Sequence, residues 1–441
     1  MIKSFQSVFK IPDLKRRVLF TLGILLLYRV GAHVPMPGIN AVALTEWFNQ
    51  SSNTLFGLYD MFAGGAFRRA AIFGLGIMPY ISASIIIQLM GSVIPYLQRL
   101  QKEGEEGRKK INQLTRYGTI FIAAMQAIGA AIFLENLPAT RSGIMAVPHP
   151  GMGFKFMVMI TLTAGTVLVM WMGEQITERG IGNGISLIIF IGIIGRFPIA
   201  LLDEFQQLIG GNRSFLVEVI ILGIFLLIVA AVVLVTEGTR KIPVQYAKRV
   251  IGRKVYGGQT TYIPIRVSGF GVMAIIFAQA LMFLPQTVKQ FFPNNEVISN
   301  ILSYFDLGSP LYWMLFGILI LFFTYFYAAI AFNPLDVAEN MRKQGGFVPG
   351  VRPGKKTAEY IDHVLSRIML PAAAFFAVVA IFPYFVRKYF NVTTSFSGFF
   401  GGTSLLIMVG VALDTLQQIE SHLLMRHYDG FMKTGKIRGR R

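Results

Sequence analysis

Apolar runs of about twenty residues, broken by short polar or basic stretches, recur along the whole chain. They can be placed at 18–35, 71–94, 114–134, 154–172, 180–202, 215–236, 267–287, 311–332, 368–386 and 403–424. At 1.5 Å per residue a helix of about twenty residues crosses the roughly 30 Å hydrocarbon layer of a bilayer. The pattern therefore predicts an all-α polytopic membrane protein of ten spans. The second block differs from a greasy anchor, because it carries Pro79, several glycines, Ser82, Ser84 and Gln88. Small and polar side chains gain little from lipid, so this segment reads as a wall inside the protein. The piece before it, residues 58–69, is too short to span and too apolar for a free loop, which predicts a part-way excursion into the protein body.

Between the blocks, two long loops carry structure of their own. In residues 238–266 the stretches 244–249 and 254–263 suggest a hairpin, with Gly257 and Gly258 as its turn. In residues 333–367 a short helix is expected over 334–343, then an irregular tip GGFVPGVRPG, with Thr357 as N-cap of a segment 358–367 leading into the ninth span. Glycines mark several spans: Gly165 and Gly173 in the fourth, GIGNGIS opening the fifth, Gly269 and Gly271 near the start of the seventh. They serve either close helix packing or a hinge, and the pattern does not choose between these.

Composition agrees with a membrane protein and excludes a soluble globule of two or three domains: 54% of residues are hydrophobic and the mean hydropathy is +0.58. The first block follows Lys15, Arg16 and Arg17 like the core of a signal peptide, but the many spans after it favour its retention as a first helix. With no cysteine, disulfides and thiolate chemistry are excluded. The net charge of +19 is distributed unevenly. If the amino terminus is cytoplasmic, cytoplasmic segments hold 31 of the 41 Lys and Arg residues, which places both termini inside. The loops 238–266 and 333–367 together hold thirteen of these, more than orientation requires. They suit docking of a large acidic or nucleic-acid-rich partner, or contact with anionic phospholipids.

Candidate chemistry is sparse. HExxH, paired carboxylates and a Walker A sequence do not occur, and His33, His149, His363, His422 and His427 form no ligand set, so neither metal nor cofactor is expected. An ion-coupled transporter needs polar groups near the midplane, yet the spans offer few, among them Asp414, Glu237 at a span end, and Arg29 where it can snorkel. Ile81 and Ile85, like Ile185 and Ile189, are four residues apart and share a helix face. Ordinary packing explains such pairs, although branched apolar side chains also suit a constriction that excludes ions without binding a substrate.

Four long motifs change this reading. GIMPYISASIIIQL at 76–89, TERGIGNGISLIIF at 177–190, GTRKIPVQYAKR at 238–249 and NPLDVAENMRKQGGFVPGVRPGKKTAEYID at 333–362 resemble the SecY/Sec61-alpha family, the central channel subunits of the Sec translocon. The resemblance runs from IPDLKRRVLFTL to LQQIESHLLMRHYDGF. It implies ten helices in two inverted halves, 1–202 and 203–426, closed as a clamshell around an hourglass pore, with a basic tail at 427–441. It implies a plug helix over 58–70, including Leu58, Met61, Phe62, Gly64, Gly65 and Phe67. It implies a pore ring of Ile81, Ile85, Ile185, Ile189, Ile276 and Ile407, and a lateral gate whose helices carry Gln88 and Gln279. Motor and ribosome docking would fall to Arg240, Lys248, Arg249, Arg253, Lys254, Arg352, Lys355 and Lys356, with Arg352 foremost. The implied function is translocation of unfolded secretory chains and lateral release of apolar segments, without enzymatic activity, in the bacterial inner membrane. The implied partners are SecE, SecG, the SecA ATPase, the translating ribosome, signal sequences and preproteins, YidC and SecDF. The adjacent Arg68 and Arg69 would anchor the plug hinge or meet the incoming signal sequence. The competing readings are a secondary transporter of a small solute and a docking scaffold for ribosomes.

Overall fold

The computed structural model describes residues 11–50, 60, 63–138, 143–211, 214–246, 249–251, 254–256, 260–266, 271–291, 296–306, 309–390 and 392–434. Helices dominate. In chain order they begin with α1 (Pro12–Gly31), α2 (Ala41–Gln50), α3 (Met78–Val93), α4 (Pro95–Lys102), α5 (Glu105–Glu135) and α6 (Met152–Arg179). There follow α7 (Gly184–Ile194), α8 (Phe197–Ile209) and α9 (Phe215–Glu237). Four strands come next, β1 (Thr239–Tyr246), β2 (Arg249–Ile251), β3 (Lys254–Tyr256) and β4 (Thr260–Arg266), then α10 (Gly271–Phe291), α11 (Glu296–Ser303), α12 (Pro310–Ala331) and α13 (Pro334–Lys343). The chain closes with β5 (Gly346–Phe347), α14 (Lys355–Phe390), α15 (Thr394–Ser397) and α16 (Gly402–Thr434).

Among the described residues seven helices, or helix pairs read as one, are long and apolar enough to cross a membrane, and eight if the bent pair α3–α4 counts as a span. The chain is thus a multi-pass membrane protein. α1 and α10 occupy the two remaining apolar blocks. Several helices outrun the bilayer: the 36 residues of α14 extend about 54 Å at 1.5 Å per residue. The segment 358–367 runs on into the ninth span as expected, but the helix begins at Lys355, so Thr357 is not its N-cap. The Thr357 hydroxyl donates 2.9 Å to the Arg352 carbonyl and so ties the tip to the helix.

The second and fifth blocks are interrupted. Residues 63–77 wind through turns, with Ala70 (φ 52°) and Gly76 (φ 54°) in the left-handed region, and the helix starts at Met78 with Pro79 in its first turn, where no amide is needed. Between α3 and α4 the chain bends by 99°. α7 starts where the Asn183 side chain accepts from the Ile185 and Ser186 amides, and it ends at Gly195, before α8.

The chain forms two compact units. The first comprises Met1–Leu201, Leu284–Leu307 and Ile407–Arg441, the second Leu202–Phe283 and Gly308–Leu406. In the first, an apolar cluster gathers Leu44 and Phe48 of α2, Phe67, Leu75, Ala123, Ala127 and Leu134 of α5, and Phe154, Val158 and Leu162 of α6. In the second, a three-stranded sheet of order β4-β1-β5 packs Ile242, Val244 and Ile265 against Ala328, Met341, Ile361, Leu365 and Met369.

Candidate functional site

Close backbone packing shapes the segment that leads into α3. A side chain at Gly165 would collide with the Ile72 carbonyl, and one at Gly31 with the Phe73 ring, so α6 and α1 admit this segment only because both positions lack a Cβ. Gly184 likewise abuts the Gly173 carbonyl and brings the start of α7 against α6, and Gly271 abuts the Phe376 ring in the second unit. Of the two roles open to these glycines, the structure displays close packing. Gly269 lies outside the described residues.

Of the plug candidates, Leu58, Met61 and Phe62 lie outside the described residues. Phe67 is buried and stands edge-on to Phe48 at 5.9 Å, inside the apolar cluster. Gly64 (φ 66°) and Gly65 (φ 86°) turn the chain in the left-handed region. Residues 63–70 form turns rather than the expected half-helix. The reason lies in what caps the backbone: the Gly65 amide bonds the Asp60 carbonyl (2.8 Å), the Arg68 amide bonds Asp60 Oδ1 (2.8 Å), and the Ala71 amide bonds the Ala66 carbonyl (2.8 Å). A Pro35–Ala71 bridge and a Met36 amide bond to the Ala70 carbonyl fix the far end.

The sequence reading missed Asp60 and Arg196. Asp60, 1% exposed, pairs with Arg196 just beyond α7 at 3.0 Å. The half-buried Arg29 donates from Nη1 to the Gly64 carbonyl (3.2 Å), and its guanidinium occupies the space beside Gly195. Arg69 Nη1 lies 2.8 Å from His33 Nε2. An acid inside an apolar stretch, and a lone arginine within a span, were the available signals.

Among the proposed pore residues, Ile81 and Ile85 on α3 are each 7% exposed, and Ile189 on α7 and Ile407 on α16 are each 1% exposed. Ile185 is half-buried against Gly173. These five belong to the first unit; Ile276, half-buried on α10, belongs to the second. The turn that launches α7 is held from two sides: the Ile181 amide bonds Thr21 Oγ1 of α1 (3.1 Å) and the Gly182 amide bonds Gln418 Oε1 of α16 (2.9 Å). Gln88 Nε2 turns back to Ser84 Oγ within α3 (3.1 Å). Gln279 is 3% exposed on α10, beside the buried Tyr312 hydroxyl of α12, yet the two polar groups form no well-aligned hydrogen bond.

The two basic loops form one body. β1 pairs antiparallel with β4 from Thr239↔Arg266 to Gln245↔Thr260, and its other edge takes β5 at Gln245↔Phe347 and Tyr246↔Gly346. Apolar and polar positions alternate along β1, burying Ile242 and Val244 and exposing Arg240 and Lys241. An inner antiparallel pair joins β2 to β3, from Arg249↔Tyr256 to Ile251↔Lys254. Arg249 and Lys254 are on these two strands, whereas Lys248, Arg253, Gly257 and Gly258 lie outside the described residues. α13 covers the predicted residues, with Asn333 Oδ1 accepting from the Leu335 amide (3.1 Å). Arg352, Lys355 and Lys356 are exposed, as are Arg342 and Lys343 at the end of α13, which the sequence reading did not single out.

The family model for SecY matches residues 71–416. The chain is 42% identical to the protein translocase subunit SecY of Thermotoga maritima over the whole of both chains, and 43% identical to that of Escherichia coli K12 over 97% of this chain and 96% of the other. Three solved structures share the fold. A protein-conducting channel aligns with TM-score 0.66 at 17% identity over 93% of each chain. A SecY whose plug domain is described as stabilising the closed state aligns with 0.66 at 18%, covering 93% of this chain and 92% of that one. Sec61 from a canine ribosome-channel complex aligns with 0.59 at 17% over 93% of each. The apolar helices, the turn-built segment before α3, the basic sheet and this full-length kinship together establish that the chain belongs to the SecY family.

Proposed function

We propose that the chain is the channel-forming subunit of a bacterial protein translocase. The observation that carries this reading is the full-length kinship with protein translocase subunits. Ile81, Ile85, Ile185, Ile189, Ile276 and Ile407 form the constriction. A collar of branched apolar side chains makes interior water unfavourable, which stops ions, and it closes around a passing chain of any sequence because it demands no hydrogen bond from it. The turns at 63–70 belong to the plug. The helices bearing Gln88 and Gln279 border a lateral exit, where a segment of about twenty apolar residues partitions into lipid.

The protein hydrolyses nothing, so the work comes from outside. Arg240, Arg249, Lys254, Arg352, Lys355 and Lys356, with Lys248 and Arg253, make the docking face for SecA or a translating ribosome, and ribosome-bound relatives of the same fold support the second partner. SecE and SecG complete the complex, signal sequences and preproteins are its substrates, and YidC, SecDF and anionic phospholipids are further partners. The complex sits in the inner membrane with both termini cytoplasmic, ten spans in two inverted halves.

Reconstitution with SecE and SecG tests the constriction. Ile85→Gly and Ile189→Gly raise ion leak and admit preproteins with poor signal sequences. Unchanged conductance and stringency would remove these residues from the constriction, and proton- or sodium-dependent flux of a small solute would favour a transporter.

A further inference from the structure

The segment before α3 is held on two flanks of different chemistry. Phe67 belongs to the apolar cluster with α2, α5 and α6, and apolar contacts of this kind are non-directional and slide without a sharp penalty. The other flank is polar and directional. The Asp60 carboxylate takes Arg196 on one oxygen at 3.0 Å and the Arg68 amide on the other at 2.8 Å. The buried Tyr28 hydroxyl donates to the Ala63 carbonyl at 3.3 Å, and Arg29 to the Gly64 carbonyl at 3.2 Å. A Cβ at Gly64 would lie 2.9 Å from the Gly192 Cα, so the segment's backbone rests on the backbone of α7. The groups that hold the segment are Tyr28 and Arg29 near the C-terminal end of α1, Gly192 in the last turn of α7 and Arg196 just beyond it.

Charge sharpens the point. The buried Asp60 carboxylate takes Arg196, and the Arg29 guanidinium lies against Gly64 and Gly195, the latter next to Arg196 in the chain. Without the carboxylate, Arg196 loses its counter-charge and the Arg68 amide its Oδ1 acceptor in a buried place.

We infer that Asp60 and Arg196 are positioning residues that latch the segment 60–70 to the end of α7, coupling its release to movement of the helix that bears Ile185 and Ile189. The apolar flank retains the segment; the ion pair decides where it sits. The inference rests on the channel reading only for its consequence, that the latch sets how good a signal sequence must be.

The absence of cysteine makes the test direct. Ala66→Cys places the only thiol at a buried position of the segment, and Ala130→Cys places one in α5 as a control for intact packing. In the complex with SecE and SecG, the rate of labelling by a water-soluble maleimide is measured in the parent, Asp60→Asn, Arg196→Gln, Arg196→Lys and the double variant Asp60→Asn/Arg196→Gln. Breaking a buried ion pair on one side raises the labelling rate at position 66 by about tenfold or more, with the rate at position 130 unchanged. Arg196→Lys restores slow labelling, and the double variant labels no faster than the faster single one, because both remove the same contact. Asp60→Asn and Arg196→Gln also admit preproteins with defective signal sequences. Parental labelling in both single variants, or single effects that multiply in the double, would overturn the latch. Labelling needs no transport, so a failure of the channel reading would appear separately, as loss of the stringency effect with the labelling response intact.

Discussion

At the residue scale, the positions that most constrain the fold carry no side chain. Gly184 faces the Gly173 carbonyl and Gly165 the Ile72 carbonyl, and in both cases the obstacle to a Cβ is backbone, which cannot rotate aside. Gly184→Leu therefore costs about 3 kcal/mol of stability by overpacking. The same change at Gly23, which has open space around it, should be nearly neutral. Thermal unfolding of the two variants in detergent checks this, and equal melting temperatures would contradict it. The sequence marked Gly165 and Gly173 as special without saying why, because a close-packing glycine and a hinge glycine look alike in one dimension. Asp60 and Arg196 were less visible still: they are 136 positions apart, and only the fold brings them to 3.0 Å.

At the element scale, periodicity was legible wherever one physical rule governed a whole segment. The ten apolar blocks all overlap helices, and α13 spans Pro334–Lys343 as read. Boundaries drifted where local signals competed with tertiary ones. The apolar run from Ala71 reads as helix, yet Ala71–Ile77 turns to meet Gly31 and Gly165. Thr357 resembles a cap, but its hydroxyl serves the Arg352 carbonyl inside a longer helix. The pairing of β5 with β1 was not readable, because a two-residue strand leaves no period. That pairing makes a testable claim. A Cβ at Gly346 would come within 2.9 Å of the Tyr246 ring, so Gly346→Val should displace β5 and with it the tip bearing Arg352. Affinity for SecA should fall by about tenfold while the helices keep their thermal stability. Calorimetric titration measures it; unchanged affinity would separate the tip from the sheet.

At the scale of the whole molecule, a chain with net charge +19 places thirteen of its 41 Lys and Arg residues in the two long loops, while its spans carry few charges. The division fits the proposed passive conduit, in which charge would recruit a docked partner and an apolar interior would let any sequence pass. Kinship identifies the conduit, and the structure adds how its first unit holds the segment before α3. The path of the substrate is the central claim, and site-specific photo-cross-linking reads it directly. A photoreactive residue replaces Ile85, Ile189 or Phe121, the last 67% exposed on α5, in complexes carrying an arrested hydrophilic preprotein. The account predicts strong cross-links to the preprotein from positions 85 and 189 and none above background from 121. Cross-links from 121 alone, or from none of the three while translocation proceeds, would contradict it.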